Sequence, residues 1–250
     1  MRRAILIGLV LAPVAAVAIW WLWSGWAALA VIALSHAFVL YPTLRPNAQW
    51  LGPVATRFDT NDREVWLTID DGPTDDTSAI LDILDTRKAR ATFFVKGTIA
   101  EAHPDRIREI VRRGHAVANH SYSHPSGSFW CLPAALIREE IEKCNRVLMA
   151  VTGAKPDMFR APVGMKNPFV HPALGGMTLV GWTARAFDTT TDDADLVVRR
   201  LLPDVEPGAI LLMHQGRTAS ARMIERVVDE LQRHGYAFVV PSAGRLKTNR

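Results

Sequence analysis

From Ala4 to Leu44 the chain runs for 41 residues without a charged side chain. No surface segment of a water-soluble domain tolerates such a run, so this part of the chain has to be covered by protein or by lipid. Its first part, Ala4–Trp23, follows Met-Arg-Arg and is almost wholly apolar. As a helix it would span about 30 Å, the hydrocarbon thickness of a bilayer. The run outlasts the apolar core of a signal peptide, and no small-residue cleavage site precedes a polar start, so an uncleaved anchor is expected. Composition has to be judged with this segment set aside. Of the 29 Lys and Arg, 27 then remain against 25 acidic residues, which is close to neutral despite a pI near 9.3. No basic run supports nucleic-acid binding. An apolar content of 49% excludes disorder, and two cysteines exclude a disulfide scaffold.

After Ser24-Gly25 a second apolar stretch, Trp26–Tyr41, spans about 24 Å if helical, slightly short for a crossing. Trp20, Trp21, Trp23 and Trp26 cluster at the break, where an aromatic belt belongs if the break lies at a membrane interface. Either a helical hairpin or one span with an interfacial helix fits. Arg2 and Arg3 at one end and Arg45 and Arg57 at the other leave the orientation open. Ser35 and His36 read as helix-packing groups. The expected division is an anchor over 1–41, an irregular exit over 42–62 marked by Pro42, Pro46 and Pro53, and a globular domain over 63–245.

From Glu64 onward, short β-type runs alternate with helical patterns. Val65–Ile69, Ala91–Val95, Ala116–Ala118, Met158-Phe159, Thr178–Trp182, Ala209–Met213 and Ala237–Val240 read as strands. Helices are expected after Thr74 or Asp75, from Pro104 to Gly114, over about Pro133–Val151, from Asp193 to Leu202, and before the last strand. About seven strands with helices between them give an α/β fold with parallel strands, a barrel or an open sheet. Asp70, Asp71, His120, Arg160, Asp188 and His214 all follow strand ends, and in such a barrel that rim carries the active site.

His120-Ser-Tyr-Ser-His124 spaces two imidazoles four apart. Ser121 stands where a helical zinc protease has Glu, and Pro125 follows, so the pair belongs to a loop at a strand end, where it can still chelate one metal. Asp70-Asp71-Gly-Pro on its own is turn-forming sequence. Beside the histidines it can complete a two-histidine, one-carboxylate set, with the second carboxylate free to take a proton from water. His214 closes the apolar run Ile210–Met213, and becomes a general-acid candidate only if the other strand ends converge on it. Phe129-Trp130 can stack on a sugar, dip into a membrane or pack locally. Cys131 and Cys144 can pair if they are close. His103, His115, His171 and His234 read as structural or solvent-exposed.

Taken in order, LTIDDGP (Leu67–Pro73), HSYSH (His120–His124), FRAPVG (Phe159–Gly164) and LLMH (Leu211–His214) resemble the polysaccharide deacetylase family, also called the NodB-homology family or carbohydrate esterase family four. The resemblance covers about Arg63–Pro241 and implies a distorted seven-stranded (β/α) barrel with a divalent metal, zinc first, with cobalt or nickel as alternatives. It makes Asp70 the catalytic base, Arg160 the residue that holds the base, His214 the general acid and Asp188 its tuning carboxylate. Asp71, His120 and His124 become the metal ligands, and Pro162, Val163, Gly164 and Leu212 the substrate-binding wall. The chain departs from the family pattern at Thr189, where Trp is expected, and at Arg185, where another Asp is frequent. Ala161 and Val163 replace Pro and an aromatic residue. The metal and acid–base set is intact, whereas the sugar-binding wall is altered. The implied reaction is hydrolysis of an N-acyl group on an amino sugar of a cell-envelope polysaccharide or glycolipid, at a membrane, the bacterial inner membrane first. Alternatives are deformylation of a lipid-linked formamidosugar and a non-catalytic, membrane-anchored carbohydrate-binding role.

Overall fold

The computed structural model describes residues 1–248. The uncharged run folds as two helices, α1 (Arg2–Leu22) and α2 (Gly25–Leu44), packed on each other across a turn of two residues. The Ser24 side chain caps α2 by accepting from the Ala27 N–H at 3.1 Å. Both helices are long and apolar enough to cross a membrane. The second continues past Tyr41 to Leu44, further than its apolar pattern suggests. Pro42 forfeits only its own N–H bond, and the Thr43 hydroxyl donates to the Val39 carbonyl one turn back. Trp50 then folds back onto Phe38 and Tyr41, with ring centroids 5.3 and 4.8 Å away, so the exit segment lies against α2.

The remaining elements are β1 (Ala55–Phe58), β2 (Glu64–Gly72), α3 (Thr77–Thr86), β3 (Ala91–Val95), α4 (Gly97–Ala102), α5 (Pro104–Arg112), β4 (Ala116–Asn119), α6 (Ala134–Thr152), β5 (Met158–Phe159), α7 (Val170–Ala173), β6 (Thr178–Leu179), β7 (Ala184–Arg185), α8 (Ala194–Leu201), β8 (Ile210–His214), α9 (Ser220–Arg233), β9 (Ala237–Phe238) and β10 (Leu246–Thr248). Seven strands run parallel in the order β6-β5-β4-β3-β2-β8-β7, with β9 beside the start of β2. This is the expected α/β barrel in incomplete form, open between β6 and β7. The antiparallel pair β1-β10 lies across the opening, where Gly181 N–H donates to the Ala55 carbonyl at 2.8 Å.

Alternation along β2 explains both the core and the site. Val65, Leu67 and Ile69 face the helical shell, where they join Ile80, Leu84, Ile107, Val227 and Leu231. Each such fully buried side chain stabilises the fold by about 1.5–3 kcal/mol. Trp66 faces the other way, into a cluster with Phe94, Trp182, Ile210 and Leu212. Thr68 and Asp70 share that inner face by the same period of two. The parallel register then sets Asp70 directly beside His214 of β8 and Phe94 of β3.

Two readings that the sequence leaves open are decided here. Phe129 is fully buried against Phe159 and is therefore core, unavailable to sugar or membrane. Cys131 and Cys144 are both free, the first exposed and the second sealed in α6, where burial pushes its thiol up to about 12.

Candidate active site

Asp70 is buried at the end of β2, and its Oδ1 accepts from Arg160 Nη1 at 2.7 Å. The Arg160 guanidinium is also buried. It donates to the Thr68 hydroxyl (2.8 Å) and to the carbonyls of Val180 (3.3 Å) and Gly181 (2.7 Å), and it lies over the Phe94 ring at 4.2 Å. Burial works against its charge and Asp70 works for it. A guanidinium with its donors committed in this way is a fixed cradle, so the carboxylate it holds has one orientation.

Asp71 lies next along the chain at φ 77°, which turns its side chain toward the histidine loop. Its Oδ1 is 3.5 Å from His124 Nε2 and 3.9 Å from His120 Nε2, and the two Nε2 atoms are 3.1 Å apart. His120 Nδ1 donates to the Arg160 carbonyl at 2.9 Å, because a carbonyl can only accept; its Nε2 is thereby left as a lone pair. Burial lowers both imidazoles, His124 to about 4, and keeps them uncharged near neutrality. Burial opposes the charge of Asp71, but His120, Lys96 and His124 outweigh it and hold the carboxyl low. Two nitrogen lone pairs and a carboxylate oxygen thus converge, all within 4.8 Å of one another. Such a set fits one divalent cation with a position left open, the pattern of a catalytic site. Lys96 Nζ, 2.9 Å from Asp71 Oδ1, is the cation that faces this carboxylate in the structure.

On the opposite side Asp188 is buried and bonds His214 twice, accepting from its backbone N–H (2.7 Å) and its Nδ1 (3.0 Å). Burial disfavours the imidazolium of His214, but Asp188, then Asp70 and Asp71, prevail and raise its pKa. A cation held ready to give up a proton therefore stands beside a buried base.

These groups share one cavity of about 130 Å³, lined by Asp70, Asp71, His120, His124, Val163, Gly164, Trp182, Arg185, Thr189, Leu212 and His214. Its volume is below the roughly 300–1,000 Å³ of pockets that enclose a whole ligand, so it suits the acylated end of a larger substrate. Arg160 and Asp188 stand behind the wall as supports for Asp70 and His214. Pro162 is buried beneath the wall and does not line the cavity, unlike its neighbours Val163 and Gly164. Gly164 needs both its φ of +72° and its missing side chain, since a Cβ would lie 2.5 Å from Trp182 and 2.8 Å from Pro46. Lys96 and Trp182 escaped the sequence reading as site residues. Lys96 directly follows β3, so the strand-end rule applied there would have found it. None of His103, His115, His171 and His234 lines the cavity.

The comparisons with known proteins follow the same pattern. The family model described as polysaccharide deacetylase matches residues 57–178. A chitooligosaccharide deacetylase of Bradyrhizobium sp. (strain ANU 289) is 34% identical over 191 residues, 70% of this chain and 87% of that protein. Among solved structures, a peptidoglycan N-acetylglucosamine deacetylase in complex with 4-naphthalen-1-yl-N-oxidanyl-benzamide superimposes with a TM-score of 0.71 at 29% identity, covering 79% of this chain and 95% of that one. A family 4 carbohydrate esterase from Streptomyces lividans in complex with acetate gives 0.68 at 30% identity, covering 77% and 100%. With that coverage and its catalytic rim, the chain belongs to the polysaccharide deacetylase family, the NodB-homology family or carbohydrate esterase family four, and is a hydrolase of carbon–nitrogen bonds other than peptide bonds.

Proposed function

We propose that the chain removes the N-acyl group, acetyl first, from an amino sugar of a cell-envelope glycan or glycolipid, with the helical hairpin as its membrane anchor. The carrying observation is that Asp70 on Arg160, His214 on Asp188 and the Asp71-His120-His124 cluster meet in one cavity sized for an acylated amine. The relatives named as chitooligosaccharide and peptidoglycan deacetylases support the acetyl amino sugar as the substrate class.

Asp71, His120 and His124 would hold the divalent cation, zinc by the mixture of imidazole and carboxylate, with cobalt or nickel able to substitute. When bound, that ion supplies Lewis acidity, polarising the acyl carbonyl and easing the ionisation of water near neutral pH. Asp70 takes the proton from the attacking water, and the Arg160 cradle keeps it aimed. His214, held protonated by Asp188, gives its proton to the amine nitrogen as the carbon–nitrogen bond breaks. Val163 and Gly164 on one side and Leu212 on the other position the acyl group.

The test is a product assay of the purified full chain on N-acetylglucosamine oligomers and on lipid-linked N-acyl amino sugars, reading carboxylate and free amine together. Asp70→Asn and His214→Ala are expected to lose about 10²–10⁴-fold in kcat/KM. Retention of full activity in either variant overturns the role assignment. Formate in place of acetate as the product would make the enzyme a deformylase, the reading that the hairpin favours because it brings the site to a lipid surface.

A further inference from the structure

Arg185, the second residue of β7, lines the catalytic cavity, yet no carboxylate pairs with it among the described residues. Its Nε is buried and has no hydrogen-bond partner. Three other sheltered arginines of the barrel are matched: Arg87 to Asp229 and Glu225, Arg113 to Asp82 and Glu109, Arg160 to Asp70. Arg185 is instead held by aromatic faces, with its Cζ 4.7 Å from the Phe187 ring centroid and 5.5 Å from that of Trp182. Stacking of this kind fixes the plane of a guanidinium while leaving its donors unspent, the state in which arginine takes a phosphate or carboxylate through two hydrogen bonds.

The wall beside Arg185 is also the end of the hairpin. Three residues past α2, Asn47 Nδ2 donates to the Trp182 carbonyl at 2.7 Å. Pro46 fills the space that a side chain on Gly164 would need. Buried Lys166 donates to the carbonyls of Arg45 (3.0 Å) and Pro46 (2.6 Å) and so locks the same junction. Trp182 and Gly164 both line the cavity, so no slack chain separates the reacting centre from the apolar helices. An anion presented next to such a junction has its natural source in a lipid headgroup.

The geometry points to Arg185 as a specificity residue that binds the phosphate of a lipid-borne N-acyl amino sugar, making a glycosyl phospholipid the substrate class of this site. This rests on the reading of the cavity as an N-acyl hydrolase site and adds to it the substrate's charge and carrier.

The full chain in neutral phosphatidylcholine nanodiscs is offered three probes, each in acetyl and formyl form: a prenyl-phosphate glycoside of glucosamine, glucosamine 1-phosphate, and a neutral octyl glucosaminide. Both binding and turnover are measured. The expected order is prenyl phosphate, then free sugar phosphate, then neutral glycoside. Arg185→Gln should raise KM for the prenyl phosphate roughly ten- to a hundredfold, with the preference over the neutral glycoside collapsing toward one, and Arg185→Lys should restore part of it. Equal handling of phosphorylated and neutral probes by the unmodified chain overturns the proposal without any variant. A preference that survives Arg185→Gln also overturns it. Equal affinity for free and prenyl-linked phosphate keeps the anion site and removes the lipid. Arg185-dependent binding of phosphate with no hydrolysis of any probe overturns the hydrolase reading and with it the substrate class, leaving Arg185 as an anion site alone.

Discussion

Asp188 touches His214 at two atoms, and that doubled contact makes a pH experiment informative. In the proposed mechanism the protonated imidazole is the working form; its pKa is raised, so activity should be present below that pKa and lost as pH rises through it. Removing the Asp188 charge lowers the pKa, so Asp188→Asn should move the alkaline limb of kcat/KM to lower pH while leaving the acid limb in place. A pH–rate profile on a soluble N-acetylated oligosaccharide reads this directly. At this scale the sequence was generous. Asp70, Asp71, His120, Arg160, Asp188 and His214 each follow a strand end, His124 lies on the loop after β4, and the structure brings all seven together around or behind one cavity. The backbone states that aim them were not legible. Asp71, Ser121, His124, Val163 and Phe187 adopt left-handed φ angles between 49° and 77° without being glycine, and all five lie in the segments that form or support the site. Such conformations cost on the order of 1–3 kcal/mol each, and only the surrounding packing enforces them. The unpaired guanidinium of Arg185 was visible only as an oddity of residue type until its neighbours were known.

Elements of a few residues are where pattern reading failed. β7 holds only Ala184 and Arg185, and β1 and β10 pair across the opening of the barrel. None of the three has enough residues of one period to announce itself. The longer members were plain. α6 ends at Gly153, whose φ of 76° is the left-handed stop that glycine favours; β8 is an apolar run up to His214, and the apolar stretch of β2, Val65–Ile69, is broken only by Thr68, as a doubly covered strand requires. The junction after α2 is the element that most rewards measurement. Lys166 has its amine buried among carbonyls, and burial lowers its pKa to about 8 from the ordinary 10.5. Between those two values the unfolded chain binds the proton and the folded chain has released it, so stability rises with pH across that window. The thermal midpoint of the full chain in detergent should therefore climb from pH 8 toward pH 10.5 relative to Lys166→Met. Parallel curves for the two proteins would show that the amine is not held as described.

The hairpin fixes the relation between the chain's start and its catalytic barrel. Arg2 lies near enough to His171 for its charge to reinforce burial in lowering that imidazole to about 4, so the N-terminus and the barrel share one end of the helix pair. The same end carries Arg3 and Arg45, whereas the far turn carries Trp20, Trp21, Trp23 and Trp26 and no charge. If the pair crosses a membrane, the excess of basic residues places this end, and with it the active site, on the cytoplasmic side. A fluorescent protein fused after residue 250 should then light up in cells, and alkaline phosphatase fused at the same point should stay inactive; the reverse result would turn the molecule over. The absence of slack at residues 45–47 has a kinetic meaning of its own. If the hairpin anchors the chain and the substrate is lipid-borne, the riveted barrel searches in two dimensions and senses the mole fraction of substrate in the bilayer rather than the amount in solution. Diluting a membrane-borne substrate with inert lipid, at constant total substrate, should slow turnover in proportion to the added area.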